Sequence, residues 1–380
     1  MRSSSRPIVA CYYFPNYHAD ARNRALHGPG WMEWELVKCA RPRFPGHAQP
    51  KVPAWGYTDE ANPAHMEQKI AAAADHGIDA FIFDWYYYDD GPFLERGLEE
   101  GFFGAANRDR VKFCCMWANH DWKDIHPCGR TLGRATLFPG KVTPQTFETI
   151  VAKMVDEYFV HPSHLLVDGC PYFSIYDLTR FIENFGSLAA AGRAVESFRK
   201  RVQAAGFPDL HLNAVVWGRT ILPGEQLPVD PRGIVHDLGF DSATSYVWIH
   251  HAALEQSPLT PYDTVRERYF THWDRMVKEY RMPYYPNVTM GWDSSPRTLP
   301  SDVWEPVGYP FMNSLGGNTP EAFRAALAAT RDRLATTHPA AMLNINCWNE
   351  WTEGSYLEPD TTTGMAYLEA VRDVFGRAGK

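Results

Sequence analysis

The chain has 380 residues, 45% of them hydrophobic and 22% charged, enough to bury a large core. A formal charge of -8 excludes the basic stripe of a nucleic-acid binder. No apolar run reaches the length of a membrane span.

Short apolar runs alternate with longer helical patterns along the chain. The first strand is predicted at 8–14, a helix at 63–76 ended by Gly77, and a second strand at 78–85. Further strands are expected at 111–117, 171–176, 210–217, 241–246, 284–290 and 341–348. Helices are predicted at 144–158, 188–205, 262–280, 320–337 and 365–375. Eight strands alternating with helices predict an α/β fold, a single (β/α)₈ TIM barrel with long βα loops, with residues 1–380 as one catalytic domain. An open doubly wound sheet is the rival. Residues 15–62 and 218–240 read as long loops rich in Pro and Gly, the kind that usually carry function.

The seven cysteines have no C-x-x-C spacing and read as reduced, small core residues. The opening MRSSSRP has no apolar signal core, which predicts a cytoplasmic protein, or a secreted or periplasmic one if a leader has been removed.

In such a barrel the site lies at the C-terminal ends of the strands. There the sequence places Tyr13 and His18, then Asp84 and Trp85, then Trp117, Asn119 and Trp122. Tyr176, Tyr246, Trp292, Asp293 and Arg297 follow, and the last strand ends in Asn349, Glu350, Trp351, Glu353 and Tyr356. Trp and Tyr carry a polar handle on an apolar ring, which suits the polar edges and C–H faces of sugars. These residues predict a cleft for an oligosaccharide or polysaccharide. Glu350 and Glu353 are the candidate catalytic pair, because cleaving a glycosidic bond needs one carboxyl to protonate the leaving oxygen and another on the opposite flank. Trp348 and Trp351 stand ready to desolvate one of them and raise its pKa.

Asn349-Glu-Trp-Thr-Glu-Gly354, followed by Tyr356-Leu-Glu-Pro-Asp360, resembles the signature of the glycoside hydrolase family 99-like proteins, and most closely their WbsX-like branch. Tyr12 through His18, Trp31-Met-Glu-Trp34, Gly46-His47, Gly77 through Phe81, Trp117-Ala-Asn119 and Gly291-Trp-Asp293 with Arg297 follow in that family's order. The resemblance implies a metal-free, cofactor-free retaining glycosidase. It implies that Glu350 is a base toward the sugar 2-hydroxyl and Glu353 the general acid/base. Thr352 stands where family 99 proper usually has His.

Two other functions fit part of the pattern. The WbsX-like branch is sometimes labelled glycosyltransferase, but the chain has no D-x-D motif and no phosphate-cradling G-x-x-x-x-G-K loop. A non-catalytic sugar-binding barrel needs the aromatics but not both glutamates. H-E-x-x-H and G-x-S-x-G are absent, and the pairs His161/His164 and His250/His251 read as surface or structural.

Overall fold

The computed structural model describes residues 6–131 and 134–376. Met1–Ser5, which opened the segment read for a signal core, lie outside the described residues. The fold is a nearly closed barrel of parallel strands. Ile8–Tyr13 pairs with Ala80–Tyr88, which pairs with Lys112–Trp117. The order continues through Cys170–Ile175, His211–Val215 and Ser242–Thr244. The seventh strand is split at Pro286. Tyr284–Tyr285 pairs with Ser242–Thr244, and Asn287–Thr289 pairs with the eighth strand, Met342–Asn346, which returns to the first. Proline has no N–H to donate. Its carbonyl still accepts from Asn344 N at 2.9 Å, so the ring is carried across the break. An open sheet is thereby excluded.

Four of the helices start where a polar cap meets a proline. Asn62–Pro63, Thr143–Pro144, Asp230–Pro231 and Thr319–Pro320 each place a capping side chain before a Pro in the first turn. The helix predicted at 144–158 is an α-helix only over Pro144–Lys153 and continues as a π-turn, Met154–Tyr158. The long loops are partly helical: Ala21–His27 and Trp34–Cys39 lie in the first, Pro231–Asp237 in the second. All seven cysteines are free. Five are buried, Cys170 is half-buried and Cys39 is exposed. No helix among the described residues is long and apolar enough to cross a membrane.

The barrel interior beneath the site is polar. Ser174 Oγ donates to Asn213, whose amide donates to Ser242 Oγ at 2.8 Å. Asn287 donates 2.7 Å bonds to the Asn344 side chain and to the Tyr246 carbonyl, and Asn344 donates 2.5 Å to Thr244 Oγ1. Each of these residues is fully buried, so every bond replaces one that water would make. Asn344→Ala should therefore cost about 1–3 kcal/mol, since it orphans partners on two neighbouring strands. Urea unfolding measures it; a loss too small to detect would show that the network is slack.

Candidate active site

Strand alternation decides which strand-end residues reach the cleft. Along a strand, successive side chains face opposite sides. Tyr12 points inward, its ring 4.6 Å from that of Tyr246. Tyr13 points outward onto Phe81 and Phe83. Asp84 and Tyr86 line the central cavity, whereas Trp85 stacks outside on Tyr87. Met116 lines the cavity, whereas Trp117 packs outside on Phe147 and Phe181.

Of the residues expected in the cleft, Asp84, Trp122, Tyr176, Tyr246, Trp292 and Arg297 line one cavity with Glu350 and Glu353. The other nine do not. Tyr13, Trp85 and Trp117 take the outer face of their strands. His18 is buried against Glu60, Nδ1 to Oε1 3.0 Å. Asn119 braces the backbone of Asp177 through two bonds, and Asn349 braces Phe14 in the same way. Trp351 stacks on Tyr356 at 3.8 Å, and the Tyr356 hydroxyl donates to Asp360. Asp293 faces a second cavity of about 250 Å³ across Trp292. That cavity is larger, but its carboxylates are occupied. Asp293 accepts from His47 and Gln49 and is held down to about 2, because these bonds outweigh its burial. Asp360 accepts from Tyr356 and from two backbone N–H groups. Glu350 and Glu353 line the first cavity and not the second.

Glu350 and Glu353 are held by a hairpin. Asn349–Glu350 pairs antiparallel with Ser355–Tyr356 around the turn Trp351–Glu353. Gly354 closes it at φ 64, a left-handed conformation that favours glycine, and a Cβ there would stand 2.8 Å from Asp293 Cβ. Beneath the hairpin, Glu358 accepts from Trp348 Nε1 at 3.0 Å and Trp351 Nε1 at 2.8 Å, and pairs with buried Lys69 at 2.7 Å.

Arg297 organises the charges. Its guanidinium donates to Glu33 Oε1 at 2.9 Å, to Glu353 Oε1 at 2.6 Å and to Glu350 Oε1 at 3.4 Å, and it lies over the Phe14 ring. Tyr309 donates to Glu353 Oε1 at 2.7 Å. Tyr246 Oη lies 3.0 Å from Glu350 Oε2 and 2.9 Å from Asp84 Oδ2. All of these side chains are buried. Burial would raise Glu33, but Arg297, then His126 and Thr352, hold it below the usual range. Burial and then the charge of Glu353 push Glu350 well above that range. Burial also raises Glu353, against the opposing pull of Arg297, Tyr309 and a hydrogen bond with Glu350. Burial and Glu350 raise Asp84 strongly. One guanidinium contacts three buried carboxyls, with Asp84 close to Glu350 through Tyr246, a balance that favours protonation among them.

Several residues of the site escaped the sequence reading. Glu33 and Tyr309 lie on loops without periodicity, although Glu33 sits inside the Trp31-Met-Glu-Trp34 motif. Tyr86, His120 and His126 are not among the candidate site residues, yet all three line the cavity. His250, read as surface or structural, lines it too, stacked on Trp217. Among the described residues no group of three or more His, Cys, Asp or Glu is arranged to hold a metal ion.

The sequence matches the glycosyltransferase WbsX family over residues 9–371. The chain belongs to that family. This WbsX-family chain is also 28% identical over 389 residues to the uncharacterized protein WxcX of Xanthomonas campestris pv. campestris, strains B100 and ATCC 33913. The alignment covers 97% of this chain and 50% of each relative. It thus spans about half the length of the curated relatives it matches. Among solved structures it is similar to a glycoside hydrolase-like protein, with 16% identity, TM-score 0.65 and coverage of 100% of this chain and 96% of that one. It is also similar to the GH99 endo-alpha-mannosidase from Bacteroides thetaiotaomicron, with 15% identity, TM-score 0.57 and coverage of 97% and 96%. These likenesses establish the barrel fold.

The hairpin's anchor is testable. Lys69→Met leaves Glu358 buried without its cation and should cost about 3–5 kcal/mol. Adding Glu358→Gln should recover most of that in urea unfolding. A single-variant loss below about 1 kcal/mol would show that the pair does not hold the hairpin.

Proposed function

We propose that this chain is a glycoside hydrolase acting on a bacterial or mannan-like oligosaccharide or polysaccharide, with 1–380 as one (β/α)₈ catalytic domain. The observation that carries the reading is that one guanidinium, Arg297, reaches two buried carboxyls, Glu350 and Glu353, at the cavity. Two carboxyls that share a hydrogen bond behave as a unit that keeps one proton and one charge. Glycosidic cleavage needs that division, one carboxyl to protonate the leaving oxygen and one to act on the opposite flank. Inverting enzymes keep their carboxyls roughly 6.5–9.5 Å apart to admit a water. Retention is what the family resemblance implies.

Arg297 stands nearer Glu353, which favours charge there and the proton on Glu350. The roles implied by the family resemblance are the reverse, with Glu353 as acid/base and Glu350 as base or nucleophile. Passage of the proton from Glu350 to Glu353 across their shared bond joins the two states. Asp84, Tyr246 and Arg297 then surround Glu350, while Trp122, Tyr176 and Trp292 offer faces and edges to the sugar. The family's name favours a second reading, transfer to a sugar hydroxyl. The same pair performs it when an acceptor hydroxyl takes the place of water.

Glu353→Gln should lose roughly 10²–10⁴ in kcat/KM on substrates with poor leaving groups. It should lose far less on activated aryl glycosides, whose departure needs little protonation. Glu350→Gln should be nearly inactive on both. The opposite pattern would exchange the roles, and full activity in both variants would show that the pair is not catalytic. Activity should also survive exhaustive EDTA treatment; loss restored by Mg²⁺ or Ca²⁺ would overturn the metal-free mechanism.

A further inference from the structure

The Tyr246 hydroxyl touches two carboxyls at once, Asp84 Oδ2 at 2.9 Å and Glu350 Oε2 at 3.0 Å. A phenol has one proton to donate, and an ionised carboxylate only accepts. Were both carboxyls ionised, one of these contacts would set two lone pairs against each other between buried side chains. The geometry is satisfied when one of the two is protonated and donates to the phenol oxygen, while the phenol donates to the other.

The surroundings choose between them. Glu350 has Arg297 on its other oxygen. Among the described residues no cation contacts Asp84, and its buried Oδ1 has no hydrogen-bond partner. A carboxylate with a single donor and an orphaned oxygen is the costlier ion to bury. The groups facing Asp84 are Tyr246 and Glu350, the more distant Arg297, the Tyr12 and Tyr86 phenols and the Cys347 thiol. Apart from Arg297, each is neutral or negative.

We propose that Asp84 is a protonated positioning residue: it donates to the Tyr246 oxygen, turns the phenol proton onto Glu350, and so supports Glu350 as an anion once that carboxyl has given its own proton to Glu353. The inference rests on the catalytic reading of the glutamate pair for its purpose, though not for its geometry. Protons are conserved throughout. In the resting site they run from Asp84 to Tyr246, from Tyr246 to Glu350 and from Glu350 to Glu353. In the working site only the last has moved. Burial of Asp84 and the charge of Glu350 push its pKa in the required direction.

Carbon-13 NMR of protein labelled at the aspartate side-chain carboxyls reads the proton directly, whether or not any sugar is cleaved. Asp177 is pushed up to about 7 by burial. The decisive spectrum is therefore taken in mildly alkaline buffer, where Asp177 has ionised. One aspartate resonance should remain at the protonated position, and it should be lost in Asp84→Asn. Tyr246→Phe, which removes its one hydrogen-bond partner, should shift the same resonance and assigns it independently if the asparagine variant does not fold. The proposal is overturned if every aspartate is ionised in that buffer, or if the protonated resonance is untouched by these substitutions. Lack of hydrolysis with an intact Asp84 signal would instead count against the catalytic reading alone.

Discussion

Arg297 is the one full positive charge at the centre of a cluster of buried acids, and the rest of the site is arranged around it. Its guanidinium reaches Glu33, Glu350 and Glu353 together. A planar fork with five donors suits this task in a way that a lysine ammonium does not. The distances rank the acids. Glu33 and Glu353 take the short bonds, while Glu350 is 3.4 Å away and holds its proton more readily. An acid–base pair needs unequal partners, and unequal distance to one cation supplies the inequality.

That arrangement survives only if its supports are rigid. One polar chain inside the barrel, joining Asn287, Asn344 and Thr244, also holds the backbone of Tyr246, whose phenol touches Asp84 and Glu350. On the other side, Lys69 and Glu358 hold the two tryptophans that bracket the Glu350 hairpin. Fold and chemistry share these residues, so the buried polar groups are both the site's foundation and its greatest cost in stability.

Most of the barrel was legible because the alternation of apolar runs with helical patterns follows directly from a buried parallel sheet. The helix at Tyr262–Tyr280 was read with its bounds, and most strand bounds shifted by one to three residues. Which face each residue takes was not legible. Strands buried on both sides carry large side chains on both, so Tyr12 and Tyr13, or Met116 and Trp117, look alike in sequence. A one-residue difference in parity moved Tyr13, Trp85 and Trp117 out of the cleft and brought Tyr86 in. The glutamate pair was found because its two members are neighbours in the chain. Glu33 lies 264 positions from the arginine it binds, and Tyr309 sits in a segment with no periodic pattern. Contacts of that kind are made by the fold and leave no local trace.

The central claim is that the Arg297-centred carboxyls cleave glycosidic bonds. The most direct test incubates the wild-type protein with bacterial exopolysaccharides, O-antigens and mannans in one arm and with nucleotide-sugar donors plus acceptor glycans in the other, with products read by mass spectrometry. The account predicts fragments with new reducing ends in the first arm, and none when Glu350→Gln replaces the wild type. Extension of acceptors from the nucleotide-sugar donors, without cleavage of any polysaccharide, would contradict it.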